Sequence, residues 1–275
     1  MRPRVLVLSS VRVHEDALAV LREVAEVRFA RLSGPGMPEE LGEAEAVMLD
    51  GEVRVDEEFL EAAPRLRIAA RVGVGYDRID VEACTRRGVY VTITPNTLSG
   101  AVADLTMGLI LCLARPIIQA DRYVREGWGR PRTMRHPPLG VDLERKTLGI
   151  IGLGRIGSEV ARRAQGFGMR VLYHDIARRR DAERRLGVRY VALEGLLREA
   201  DFVTLHVPLK EDTRGLIGRR ELGLMKATAF LVNTSRGEVV DQEALTEFLR
   251  EGRIAGAGLD VFTREPVPLG DPILK

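Results

Sequence analysis

LGIIGLGRIG, residues 148–157, is the stretch that decides the fold. An apolar run, Leu148 to Ile151, leads into glycines at 152, 154 and 157, and the helix-like SEVARRAQGFG follows. The acid Asp175 closes the next strand-like run, MRVLYHD, eighteen residues after Gly157. The glycines differ in mechanical role. The first permits a tight turn, the second lets backbone approach a pyrophosphate, and the third lets helix pack on strand. A pyrophosphate placed there meets free N–H groups at the positive end of a helix dipole. Strand, glycines, helix, strand and terminal acid in that order predict a dinucleotide-binding unit in the second half of the chain.

At 275 residues the chain is long for one domain and comfortable for two. Its 45% hydrophobic content is ordinary for a globular protein, and a net charge of +2, from 42 basic against 40 acidic residues, argues against a nucleic-acid partner. The basic triplet Arg178–Arg180 reads as a solvated helix face. Cys84 and Cys112 lie in apolar, helix-like surroundings without metal-ligand spacing, so they read as buried thiols in a reducing cytoplasm, and no metal is expected. The longest apolar stretch, Ala101 to Ala114, contains Asp104 and stops at Arg115–Pro116, short of the roughly 20 residues of a membrane span. No membrane partner is expected.

Outward from the glycine turn, the chain alternates β-branched runs with amphipathic ones. Strands are predicted at 4–10, 26–30, 45–49, 67–72 and 89–93, with helical stretches such as DALAVLREVA and VDEEFLEAA between them. From Thr147 a second series offers TLGIIG, MRVLYHD, VRYVA, DFVTLHV, AFLVN and AGAGLDV, six strands with Gly152–Gly157 at the switch point. Alternation of this kind predicts an α/β fold of two doubly wound parallel sheets, divided into residues 1–99 and 100–275. A long helix from Ser99 to about Gly127, kinked near Pro116, is expected to link the halves, with Val102, Leu105, Leu109 and Leu113 as its buried stripe. Its surplus apolar surface suits either a second subunit or a deep core. Residues 128–146 read as loop.

Chemistry is expected just past strand ends. AFLVNTSRGEVVD puts Thr234, Ser235 and Arg236 after one strand, where a guanidinium can fork onto a carboxylate. AGAGLDVFTREP puts Asp260 at the end of the next, with Glu265 five residues on. His206, by contrast, reads as a satisfied strand-end histidine rather than a catalyst.

With these motifs in sequence, the chain resembles the D-isomer-specific 2-hydroxyacid dehydrogenases, a family that includes glyoxylate/hydroxypyruvate reductases and phosphoglycerate dehydrogenases. The resemblance runs through RVGVGYDRID, AVADLTMGLILCLAR, TLGIIGLGRIG, LHVPLKEDTRGLI, LMKATAFLVNTSRGEVVD and GLDVFTREP. It implies a flavodoxin-like substrate domain at 1–99 and a Rossmann NAD-binding domain at 100–275 that carries the linker helix of a homodimer. It further implies that Arg236 holds the substrate carboxylate and polarises the ketone, and that Glu265 partners a catalytic histidine. Val74 and Gly75 would offer backbone N–H groups to the substrate. Gly152, Gly154, Arg155, Ile156 and Gly157 would cradle the pyrophosphate, with Asp175 on the ribose. By the same likeness His206, Val207, Pro208 and Thr213 would border the adenosine half, Thr234–Arg236 the nicotinamide riboside, and Asp260 the carboxamide. The implied reaction is hydride transfer between NAD(H) and a small, D-configured 2-hydroxy or 2-keto acid.

Asp175 should accept from a ribose 2′-hydroxyl and repel a 2′-phosphate, which favours NAD over NADP, while Arg178–Arg180 could soften the preference. Asp50 stands where phosphoglycerate-handling members tend to carry arginine, which leans towards glyoxylate or hydroxypyruvate. Arg78, in place of the usual asparagine, either supplies a cation instead, which keeps phosphoglycerate open, or simply faces solvent. The family's acid/base histidine follows the next strand, beyond Lys275, and none of His14, His136, His174 and His206 stands at its place. The expectation is that the sequence belongs to a longer chain; an impaired, NAD(H)-binding regulatory protein on the same fold is the alternative.

Overall fold

The structure is a computed structural model and describes residues 2–8, 13–30, 39–128 and 139–275. Ser9 and Ser10 of the first expected strand, and most of the loop expected at 128–146 with His136, lie outside the described residues. The chain divides into two compact units, Met1–Leu98 and Ser99–Lys275.

In the first unit, β1 (Arg4–Leu8), β2 (Glu26–Ala30), β3 (Ala46–Leu49), β4 (Ile68–Arg71) and β5 (Tyr90–Thr92) form one parallel sheet in the order β2-β1-β3-β4-β5. That is the flavodoxin-like order. Helices α1 (Glu15–Val24), α2 (Glu57–Ala62) and α3 (Val81–Arg86) lie between strands. The carboxylates of Asp56 and Asp80 start the last two by accepting from the N–H groups of Phe59 and Ala83 at 3.1 and 2.8 Å. Leu6, Leu8, Val47, Leu49, Phe59 and Ala69 fill the core, and the edge strands β2 and β5 are mostly exposed.

The second unit opens with α4 (Ser99–Ala114) and α5 (Ile117–Gly127), bent by 59° at Arg115–Pro116. Then come β6 (Thr147–Ile151), α6 (Arg155–Gly166), β7 (Arg170–His174), α7 (Arg180–Leu186), β8 (Arg189–Tyr190) and α8 (Leu193–Glu199). β9 (Phe202–Leu205), α9 (Arg219–Leu222), β10 (Phe230–Asn233), α10 (Gln242–Arg250) and β11 (Gly256–Leu259) complete it. All six strands are parallel, in the order β11-β10-β9-β6-β7-β8, which is the Rossmann order. Both faces are covered: α4 and α6 supply Met107, Ile110 and Val160 to one core, while α8 and α10 supply Leu196, Leu245 and Phe248 to the other. Central strands β6 and β9 are therefore buried at every residue, without alternation. β8, an edge strand paired only with β7, is two residues long.

One expectation needs correcting. The helix that opens the second unit does not turn its leucine stripe most deeply inward. Ala103, Thr106, Met107, Ile110 and Ala114 point inward, whereas Leu105 is 42% exposed. Small residues let the helix settle closely on the sheet, and β11 reciprocates: a Cβ at Gly258 would sit 3.2 Å from Leu109 and 3.3 Å from Leu113. Cys84 is buried and Cys112 only partly so, and both are free thiols. Among the described residues no single helix is long and apolar enough to cross a membrane.

Candidate active site

Because every strand of the second sheet runs the same way, its strand-end loops share one edge. The turn 152–157 follows β6, Asp175 follows β7, 206–213 follow β9, Thr234–Arg236 follow β10 and Asp260–Glu265 follow β11.

At the turn, Gly152 has φ +92° and its N–H donates to the His174 carbonyl at 2.8 Å. A Cβ there would lie 2.6 Å from the His206 carbonyl oxygen, so only glycine allows this approach. A Cβ on Gly157 would run into the Gly152 carbonyl oxygen, which is how α6 presses onto the end of β6. At Gly154, the N-cap of α6, a Cβ would meet nothing within 4 Å, and no side chain caps the helix. The three glycines thus divide their work: two are consumed by packing and one leaves open a cradle of helix N-terminal N–H groups. A pyrophosphate fits that cradle in both charge and space.

Asp175 is 10% exposed. Its Oδ2 accepts the Leu153 N–H of the turn at 3.0 Å and faces Arg179 Nε at 3.5 Å. Beside it Ile176 is 90% exposed, an apolar side chain left open at the edge. Sequence reading passed over Ile176; the available signal was its place directly after the acid expected to read the ribose.

His206 keeps partial residue exposure, but its ring nitrogens are enclosed. Nε2 lies 3.0 Å from the buried Thr204 hydroxyl, and Nδ1 has no partner. Burial without a compensating charge lowers its pKa to about 3, so the ring is neutral. This removes it as a candidate acid at ordinary pH. Thr213 braces its own loop, donating to the Pro208 carbonyl at 2.6 Å and accepting from Lys210 N–H at 2.8 Å.

The Arg236 loop is built on Asn233, which is 1% exposed. Asn233 Nδ2 donates to the Arg236 carbonyl at 2.8 Å, and its Oδ1 accepts from the Ser235 N–H and hydroxyl at 3.0 and 2.8 Å. The half-buried Arg236 donates through Nη1 to the Ser235 carbonyl at 2.7 Å. Thr234 turns inward: its hydroxyl lies 3.0 Å from that of Thr106, which itself donates to the Val102 carbonyl at 2.8 Å, so the Thr234 proton goes to Thr106. Its side chain therefore serves α4, and only its backbone faces the sheet edge.

Asp260 N–H donates to the Asn233 carbonyl at 3.0 Å, joining the two loops, while its carboxylate is exposed. Glu265 is exposed and accepts the Phe262 N–H at 2.9 Å. Gln242 Oε1 holds the same turn through Thr263 N–H at 3.1 Å. Among the described residues no histidine pairs with Glu265, and no group of three His, Cys, Asp or Glu side chains converges on a metal site.

In the first unit, Val74 and Gly75 lie in the loop after β4. Arg71 braces that loop, donating to the Val72 carbonyl and, at 3.1 Å, to the Gly75 carbonyl. Thr94 accepts the Gly73 N–H at 2.9 Å. Asp50 Oδ1 accepts from Glu52 N–H at 3.0 Å, and Arg78 donates to the Glu52 carbonyl at 3.1 Å.

The model of the D-isomer specific 2-hydroxyacid dehydrogenase NAD-binding domain matches residues 107–275. The chain belongs to the D-isomer specific 2-hydroxyacid dehydrogenase family. It is 50% identical over 282 residues to the glyoxylate reductase of Korarchaeum cryptofilum, covering all of this chain and 83% of that protein. A solved NADPH-dependent glyoxylate/hydroxypyruvate reductase from Sinorhizobium meliloti, in complex with NADP and malonate, is 34% identical. It superposes with a TM-score of 0.86 over 99% of this chain and 85% of its own. D-lactate dehydrogenase from Aquifex aeolicus, complexed with NAD and lactic acid, is also 34% identical, with a TM-score of 0.84 over 94% and 78%. This dehydrogenase therefore uses a nicotinamide dinucleotide, and the open cradle at Gly154 is the feature of its structure that suits one.

Proposed function

We propose that this dehydrogenase reduces small, unphosphorylated 2-keto acids with NADH, foremost glyoxylate to glycolate and hydroxypyruvate to D-glycerate. The observation that supports it best is the meeting, at one sheet edge, of the open glycine cradle, a nearly buried ribose-reading acid and an arginine loop fixed by a buried asparagine. The relatives' names point to the same substrates.

In this reading Gly152, Gly154, Arg155, Ile156 and Gly157 cradle the pyrophosphate, and Asp175 takes the ribose hydroxyls through Oδ1. Ile176 and the 206–208 and Thr213 loops flank the adenosine. The backbone of Thr234 and Ser235 lies by the nicotinamide riboside, and Asp260 holds the carboxamide. When bound, the dihydronicotinamide is the source of hydride for the carbonyl carbon. Arg236 forks onto the substrate carboxylate and polarises the ketone oxygen towards alkoxide. Glu265 raises the pKa and fixes the tautomer of the imidazole that the family resemblance assigns to a later strand. Val74 and Gly75 are the first unit's candidate N–H donors to substrate. An acid at Asp50 disfavours a phosphorylated substrate. The free thiols suit the cytoplasm. The exposed Ile117, Ile118 and Val124 of α5 suit a homodimer.

The test is NADH oxidation by the full-length protein with glyoxylate, hydroxypyruvate, pyruvate and 3-phosphohydroxypyruvate, with the hydroxypyruvate product resolved by chiral chromatography. Preference for glyoxylate or hydroxypyruvate and D-glycerate as product are expected. Preference for the phosphorylated acid, or L-glycerate, overturns the proposal.

A further inference from the structure

The segment between β7 and α7 carries two arginines that the structure treats differently. Arg178 is committed: its Nε and Nη2 fork onto Glu183 at 2.8 and 2.9 Å. The fully buried Tyr173 donates its hydroxyl to the same carboxylate at 2.8 Å and accepts the Arg179 N–H at 2.7 Å. Tyr173 and Glu183 thereby pin the backbone at 178–179 and keep one guanidinium away from the sheet edge. Held by Arg178 and the Tyr173 hydroxyl, Glu183 has its pKa lowered to about 2, so the clamp stays charged at any working pH.

Arg179 is placed otherwise. It is half-exposed, and its Nε faces Asp175 Oδ2 at 3.5 Å, a loose pair beside the acid that reads the ribose. The same oxygen also accepts the Leu153 N–H at 3.0 Å. If Arg179 swings away, Asp175 is not left without a donor. A planar guanidinium binds a phosphate dianion with two parallel bonds, which a 3.5 Å contact to a carboxylate does not match.

We infer that Arg179 is the residue that sets how well a 2′-phosphorylated dinucleotide is accepted: it rests on Asp175 opposite a 2′-hydroxyl and transfers to a 2′-phosphate when one is present. The protein then binds NADH more tightly than NADPH but takes both. This rests on the proposed reading of the glycine cradle and deepens it by assigning the cofactor's specificity to one side chain.

Titrating NADH and NADPH by nicotinamide fluorescence or calorimetry, without substrate, tests it in the wild type, Arg179→Gln, Arg179→Lys and Arg178→Gln. Arg179→Gln should raise the NADPH/NADH ratio of Kd values by about tenfold or more. Arg179→Lys should fall between, since it keeps the charge without the fork. Arg178→Gln should leave the ratio close to wild type. NADH binding with a ratio unmoved by Arg179→Gln, or a wild type that takes no NADPH, overturns this inference alone. A wild type that binds neither dinucleotide overturns the function proposed above, and this inference with it.

Discussion

Placing a methyl group on Gly154 and on Gly157 should separate the two functions of the glycine turn. At Gly157 the new carbon collides with the Gly152 carbonyl oxygen, a backbone atom, and lies 3.2 Å from Ile150 Cγ2. Helix α6 must lift off β6, an overpacking cost of about 1–3 kcal/mol. Gly154→Ala meets no protein atom within 4 Å, and its φ of −77° suits alanine. Alanine caps a helix less well than glycine, by several tenths of a kcal/mol, but restricts the unfolded chain by about 0.4–1 kcal/mol. Net stability should therefore move by less than about 1 kcal/mol. The methyl instead occupies the cradle, and loss of one or two charge-assisted N–H contacts at about 1.5–3 kcal/mol each weakens the dinucleotide at least tenfold. Urea denaturation measures the first quantity and NADH titration the second. Wild-type NADH affinity in Gly154→Ala, or a stability loss there as large as in Gly157→Ala, would refute the reasoning.

Other consequences are as direct. His206, neutral with a folded pKa of about 3 against an ordinary 6.5, binds its proton first in the unfolded state. Stability should fall as pH drops below 6.5 and level off below about 3; at pH ~5 the penalty is about 2 kcal/mol. His206→Gln should remove that much of the pH dependence in denaturation curves, and an unchanged slope would show the ring is not enclosed. Asn233→Ala should cost about 2–3 kcal/mol by undoing three bonds at a buried site, and should lower kcat/KM further by loosening Arg236; full activity would mean that the loop holds itself. Arg163 ties α6 to the start of α4 through Asp104 at 2.6 Å and the Gly100 carbonyl at 3.3 Å. Arg163→Met should cost about 1–2 kcal/mol of thermal stability, and a neutral result would leave the helix pair to apolar packing alone.

Much of this could be read from the sequence because the informative features are local. A glycine turn is complete within one short stretch, and β-branched runs punctuated by amphipathic ones identify both sheets without any long-range contact. What escaped depends on partners far along the chain. In α4 nearly every residue is apolar, so periodicity carries no direction; Ala103 and Thr106 are buried, and Leu109 and Leu113 lie against glycines far later, in β11. The Thr234 hydroxyl looks free in NTSRGE, yet it is spent on Thr106, 128 positions away. The three arginines at 178–180 look alike in sequence; only Glu183 and Tyr173 on one side, and Asp175 on the other, tell two of them apart.

The proposed function turns on the assignment of the Arg236 guanidinium as the anchor of the keto-acid carboxylate beside the nicotinamide. Steady-state glyoxylate reduction by full-length wild type, Arg236→Lys and Arg236→Gln probes that anchor without intermediaries. kcat/KM should fall about a hundredfold or more in Arg236→Gln, with only partial recovery in Arg236→Lys, because lysine carries the charge without the fork. A glutamine variant within about threefold of wild type would contradict the assignment.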